Sequence, residues 1–352
     1  MKHQLKTLIL SLAMLLAPSA AMGLSLDLDS IAAWGKFPRF CVNTYRWGDK
    51  FFNGYDSTYV EGTGYKFNVK LKNETWLDNY IFQLPDNYRI TMASELNTSA
   101  GLYLSYLAVS LGYDINIGKL FGGASTMRKK FYFGFNCALF AAELYWITNN
   151  VGTTITSYGY RGDRKNVSIP FKGIDTNIFG VDAYYFLNHK KYSRAAAFNL
   201  SKIQKRSQGS WFIGLSYWTQ TFDFDFNQAP EYIREDLPER WKENGYQYNI
   251  NNHNYSLRAG YGYNWVFHKH WVMGVSESPL IGIKHGTVNG EAPRVSVSLY
   301  NRIQASVAWN NRAWFAGVIF SGEFGWYLDH RQSLINGLFN AQAIVGYRFN
   351  LW

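Results

Sequence analysis

The chain has 352 residues and a formal charge of +10 at pH 7, with 35 Lys and Arg against 25 Asp and Glu. Charged residues are only 17% of the total and aromatics 18%, including 26 Tyr, 25 Phe and 13 Trp, whereas soluble domains carry about 25% charge. With a mean hydropathy of −0.23, these proportions exclude a bundle of greasy helices. They describe apolar and polar residues interleaved one by one, a β signature.

The chain opens as a secretory signal peptide. Lys2 and Lys6 precede the apolar run LILSLAML, and small residues follow from Pro18 to Gly23. Cleavage is expected after Gly23, with Ala21 as the alternative, which leaves a formal charge of 33 − 25 = +8. No later run of about 18 apolar residues exists, so no helix is expected to cross a membrane. An exported chain of this kind is periplasmic, secreted or an outer-membrane barrel. Residues 24–63 are the least periodic part and are expected to form an N-terminal periplasmic segment. Cys41 and Cys137 are the only cysteines, and their pairing is open.

From residue 64 onward the alternation becomes regular. Tyr65, Phe67, Val69 and Leu71 oppose Lys66, Asn68, Lys70 and Lys72. Candidate strands follow near 64–72, 88–104, 105–116, 130–139, 141–149, 175–187, 191–202, 210–223, 251–267, 270–284, 294–309, 312–328 and 338–352. Short turns at 188–191, 268–270 and 310–312 alternate with longer polar stretches at 150–174, 224–250 and 285–293, as in an antiparallel meander. Thirteen strands is an odd count, whereas single-chain bacterial barrels are even. Three strands also lie between the turns at 188–191 and 268–270, which would put those turns on opposite rims. Either one strand has been split or one is missed inside 224–250. The expectation is twelve, with ten to fourteen open.

Several runs extend 13 to 16 residues, far beyond the usual ~5–6 of soluble strands. Their polar face is Gly, Ser, Asn, Gln and Arg, suited to a confined lumen, and Trp clusters near strand ends as at membrane interfaces. The last twelve residues, AQAIVGYRFNLW, alternate to the end, so this strand must pair on both edges and close the sheet. The fold expected is all-β: a transmembrane antiparallel up-and-down β-barrel of about twelve strands over 64–352, in the outer membrane.

The stretch YYFLNHKKYSRAAAFNLSKIQKRSQGSW, residues 184–211, resembles a family of exported, predicted outer-membrane barrels of Gram-negative bacteria classed as a domain of unknown function. The likeness runs from NTYRWGDKFFNGYD near residue 43 to the C-terminus. It implies fold and location, and no activity or site.

Chemical motifs are sparse. Asp223, Asp225 and Asn227 have calcium-loop spacing, but Gln228 and Arg234 stand where Gly and Glu belong, so these acids are read as lumen or rim residues. His268 and His270 lack a third ligand and read as a turn. Gly260 and Gly262 read as barrel packing rather than a nucleotide turn. His330 near Ser333 is the single pair that would fit a lipid hydrolase or acyltransferase. No catalytic residue, metal or cofactor is assigned, and no nucleic acid is expected. The segment KIQKRSQ, 202–208, reads as a solvated loop. Lys66, Lys70, Asp182, Arg258, Arg302, Glu323 and Arg348 share the non-lipid parity and are expected to line the lumen. Three readings follow: a narrow, mildly basic channel for small anionic or polar solutes, a structural or docking barrel plugged by interior salt bridges, and the lipid enzyme. Partners expected are the bilayer, lipopolysaccharide and the outer-membrane assembly machinery.

Overall fold

The computed structural model describes residues 33, 35–83, 87–117, 127–150, 152–288, 294–328 and 333–351. Residues 1–51 and 350–352 cluster as one unit and 52–349 as another. Helix α1 (Lys36–Asn53) belongs mainly to the first. Its Pro38 sits in the first turn, where a missing N–H costs no helical bond. Trp47 and Phe51, one turn apart, stack at 5.5 Å.

The second unit contains seventeen strands among its described residues. They are β1 (Val60–Gly62), β2 (Phe67–Gln83), β3 (Arg89–Ser94), β4 (Asn97–Tyr106), β5 (Val109–Asn116), β6 (Met127–Asn136) and β7 (Phe140–Asn150). Next come β8 (Thr153–Tyr160), β9 (Asp163–Phe171), β10 (Ile174–Phe186), β11 (Lys202–Gln204), β12 (Gln208–Asp225) and β13 (Gln247–His268). The last four are β14 (Trp271–Val288), β15 (Arg294–Asn310), β16 (Trp314–Leu328) and β17 (Ser333–Phe349). Twelve close a barrel in the order β2, β4, β5, β6, β7, β10, β12, β13, β14, β15, β16, β17, with β17 pairing back onto β2 from Phe349↔Phe67 to Ser333↔Gln83. Following paired residues round the wall from Phe67 through Tyr106, Val109, Phe135, Ala142, Ala183, Leu215, Leu257, Ile281, Leu299, Trp326 and Ile335 returns to Ile81. The circuit climbs fourteen residues, the stagger that tilted strands require. The terminal strand therefore has no free edge.

Two rims differ. The terminus rim carries the start of β2, the end of β17 and the turns at 107–108, 137–139, 269–270 and 311–313. The loop rim carries the long connections. Expected strands appear at twelve of thirteen places; the one at 191–202 does not exist. That stretch folds into the lumen, and its removal cures both the odd count and the rim conflict. Neither expected remedy, a split strand or one missed in 224–250, was correct. Within 150–174, read as loop, the chain forms the β8–β9 hairpin, and β8 pairs with β3. The segment 224–250 holds two short helices, α2 (Glu231–Asp236) and α3 (Glu239–Glu243).

Polarity inverts along the longer strands, and the inversion marks where the apolar band ends. On β13 the outward residues from Tyr255 to Phe267 are Tyr, Leu, Ala, Tyr, Tyr, Trp and Phe, but nearer the loop rim they are Gln247, Asn249, Asn251 and His253. There the inward partners turn apolar, with Tyr248 and Ile250 buried. The apolar band suits hydrocarbon; beyond it, the same sheet encloses an apolar core like a water-soluble protein.

Candidate functional site: an occluded lumen

At the loop rim the lumen is filled by side chains. Tyr80 and Phe82 of β2 meet Phe222 and Phe224 of β12 edge to face, at 6.0 and 4.7 Å between ring centres. In the barrel order β2 and β12 lie six strands apart, so these rings touch across the diameter. Ile90 and Met92 of β3, Ile155 of β8, Phe171 of β9, and Ile233, Leu237 and Trp241 of the α2–α3 segment complete one buried cluster. In FDFDFN the phenylalanines supply this core. Asp223 points outward, and Asp225 caps a 3₁₀ turn through the Asn227 amide. The acids therefore do not face the lumen, and their rim position is that of a cap.

At the terminus rim a plug, residues 188–207, enters the lumen. Asn188 O accepts from Tyr192 N at 2.9 Å, and a π-helix follows at Ala195–Asn199, ending on Leu200 in the left-handed region at φ 59°. Ala196, Ala197 and Leu200 are at most 1% exposed. The wall is shaped to receive them: a Cβ on Gly274 would lie 2.5 Å from that of Ala197, and one on Gly262 would lie 2.3 Å from the Tyr192 hydroxyl. The G-x-G of β13 thus serves packing.

Polar wall residues clamp the plug from several directions. Asn264 of β13 donates to Ser193 O at 2.8 Å, and Asn310 of β15 to Lys202 O at 3.1 Å. Lys70 of β2 donates to Asn199 O at 3.1 Å, while Arg348 of β17 donates to Leu200 O and, at 2.9 Å, to Asn310 Oδ1. Lys70 and Arg348 flank the closing seam, so the carbonyls ending the π-helix bridge first and last strands from inside. Arg194 of the plug reaches back to Glu143 of β7 at 3.0 Å. The expected solvated loop at 202–208 is corrected: Lys202–Gln204 pairs with β1, and buried Gln204 donates to Lys191 O at 2.7 Å. Only Lys205 and Arg206 of that stretch are exposed cations.

Between plug and aromatic core remains a cavity of about 310 Å³. Asp182, 2% exposed, lies 3.7 Å from Arg258 and 3.5 Å from Arg302, which bonds Glu323 at 2.8 Å and the Tyr184 hydroxyl at 3.1 Å. Lys72 bonds Glu74 at 2.9 Å and Asp114 at 3.1 Å. Of the residues expected in the lumen, Asp182, Arg258, Arg302 and Glu323 come together in one network. Lys70 and Arg348 instead hold the plug. Lys66 precedes β2 and is exposed at the rim. Inspection of single strands put Lys72 on the polar face without counting it in the lumen, and missed Glu74, Asp114, Glu143 and Arg194. With them, and with Lys130 3.7 Å from Glu74, the ion pairs join Lys72, Lys130, Arg194, Arg258 and Arg302 to Glu74, Asp114, Glu143, Asp182 and Glu323, while Lys70 and Arg348 bond neutral oxygens.

The remaining motifs do not form sites. His268 and His270 sit in the β13–β14 turn, each contacting a backbone carbonyl at 3.1 Å. His330 lies outside the described residues, and so does the side chain of Ser333. The Cys137 thiol donates to Phe140 O at 3.0 Å. Among the described residues no three His, Cys, Asp or Glu side chains converge on a metal position, and no helix is long and apolar enough to cross a membrane.

Comparisons with solved structures return outer-membrane barrels. The outer-membrane protease OmpT of Escherichia coli is 8% identical, with a TM-score of 0.41, covering 83% of this chain and 100% of that one. The toluene transporter TodX of P. putida is 9% identical, with a TM-score of 0.31 and 82% and 91% covered. The β domain of the Bordetella autotransporter BrkA is 8% identical, with a TM-score of 0.32 and 79% and 99% covered. No curated protein matches the chain. Residues 54–349 match the model of a domain of unknown function, DUF4421, and the chain belongs to that family, whose member here is a closed twelve-strand antiparallel β-barrel.

Proposed function

We propose that the protein is a closed outer-membrane barrel that serves as a structural or partner-docking element of the envelope. The observation carrying this reading is the occlusion at both rims, above all the Phe82–Phe224 contact across the diameter. The anion-channel reading needs unpaired lumen cations to set a field along a path. Here Arg258 and Arg302 are neutralised by Asp182 and Glu323.

With the short-turn rim facing the periplasm, the plug and exposed Lys190, Lys191, Lys205 and Arg206 face inward to the cell. The loop-rim cations Arg161, Arg164 and Lys172 would then be the ones near lipopolysaccharide phosphates. The fully paired β17, amphipathic to Phe349, is the segment the assembly machinery would read. Osmotic swelling tests the proposal. Proteoliposomes should resist swelling in glycine, glucose and chloride salts as empty vesicles do, and rapid solute-dependent swelling would return the channel reading.

A further inference from the structure

The outward face of β14 reads Trp271, Met273, Val275, Glu277, Pro279, Ile281, Ile283, apolar except at its midpoint. Glu277 is exposed and lies six residues from either end of this run. At ~3.3 Å per residue along a tilted strand, that is the middle of the ~25 Å band that lipid covers. Lys129 of β6 also faces outward, at the loop end of the apolar wall beside Ile115, whereas Glu277 lies at the middle of its run. Its companion is Asn301 of β15, whose Nδ2 donates to Glu277 Oε1 at 3.0 Å. The second Asn301 group, Oδ1, has no donor. Acyl chains offer nothing to either residue, and a polar side chain at this depth is costly unless another polypeptide covers it.

The surroundings suit such a cover. Glu277 pairs in register with Tyr261 and Ile303, and the positions diagonal to it are Ala259, Tyr263, Asn301 and Ala305, with Pro279 two residues on along its own strand. Pro279 cannot donate to the ladder, and no pairing is made at Ala259 and Gly260 opposite it. Ala259, Pro279 and Ala305 are short side chains near the carboxylate, which Tyr261 and Ile303 flank directly. Close approach through small residues with a polar group between them is how protein surfaces associate in a bilayer.

We propose that the outer face of β13–β16 is a contact surface within the membrane, and that its occupant is a second copy of this chain. The patch holds an acceptor, the Glu277 carboxylate, and a donor, the Asn301 amide, side by side. It is therefore complementary to itself across a two-fold axis along the membrane normal. A different protein would have to bring its own polar group to mid-membrane.

The test is the oligomeric state of purified full-length protein in dodecyl maltoside, by light scattering over a hundredfold concentration range. Wild type should dimerise. Glu277→Leu and Asn301→Leu should each raise the dimer dissociation constant at least tenfold while keeping the heat-modifiable migration of a closed barrel. In native membranes, Ala259→Cys on a Cys41→Ser, Cys137→Ser background should oxidise to one band of twice the monomer mass. Leu104→Cys, on β4 at the far side of the wall, should not. A wild type monomeric throughout, leucine variants that dimerise equally well, or Ala259→Cys joining only another protein would each overturn the proposal.

Discussion

Replacing Arg302 by Gln removes the hub of the lumen network and separates a plug from a channel. Arg302 is 18% exposed, Asp182 2% and Glu323 29%, so the change strands one fully buried carboxylate and one with some access to water. Breaking a buried pair from one side costs ~3–5 kcal/mol. Asp182 keeps Arg258 at 3.7 Å, which places the expected loss at the lower end, about 3 kcal/mol. The assay is equilibrium urea unfolding of refolded protein in micelles, followed by tryptophan fluorescence. Adding Glu323→Gln should recover part of the loss, because neighbours in one network couple by ~0.5–3 kcal/mol. Stability unchanged within ~0.5 kcal/mol, the range of ordinary surface substitutions, together with altered ion selectivity in the variant, would refute the interior-clamp account.

Val345, exposed on the lipid face, and Gln342, lining the cavity, distinguish the two faces of β17. Val345→Arg should cost ~2–4 kcal/mol of barrel stability and Gln342→Arg much less, measured by the same unfolding assay. Phe224→Ala removes one half of the cross-diameter contact and should destabilise by ~3–5 kcal/mol, with measurable dye leakage from proteoliposomes. Gly262→Leu should expel the plug, because its Cβ would lie 2.3 Å from the Tyr192 hydroxyl. Trypsin should then cut at Arg194, whose side chain is 11% exposed and should resist in the wild type. Cell fractionation should recover the protein in the outer membrane, in a form whose electrophoretic migration shifts on heating.

The strands were legible because lipid and lumen impose a period of two that no turn disguises. AQAIVGYRFNLW announced a strand paired on both edges, and Val345, Tyr347 and Phe349 do face outward. The plug was not legible for a physical reason. YSRAAAFNLSKI has apolar residues at spacings that suit a strand, yet they are buried against wall residues such as Gly274, 274 − 197 = 77 positions from Ala197, and Phe315, 315 − 200 = 115 from Leu200, unmarked in the sequence. Polarity inversion misled in the same way: FDFDFN alternates as a lipid-facing strand would, but beyond the band its phenylalanines turn inward. Lumen parity was legible for Arg258, Arg302 and Arg348. The acids Asp182 and Glu323 were on the same face, but which charge meets which was not legible, because ion pairs such as Arg302–Asp182 join strands far apart in sequence.

The central claim is that the lumen is closed. Full-length protein in planar bilayers at 1 M KCl should give no unit conductance steps, and Gly262→Leu combined with Phe224→Ala should introduce them. Steady conductance steps from the wild type, of one amplitude and abolished by antibody or heat denaturation of the same preparation, would contradict it.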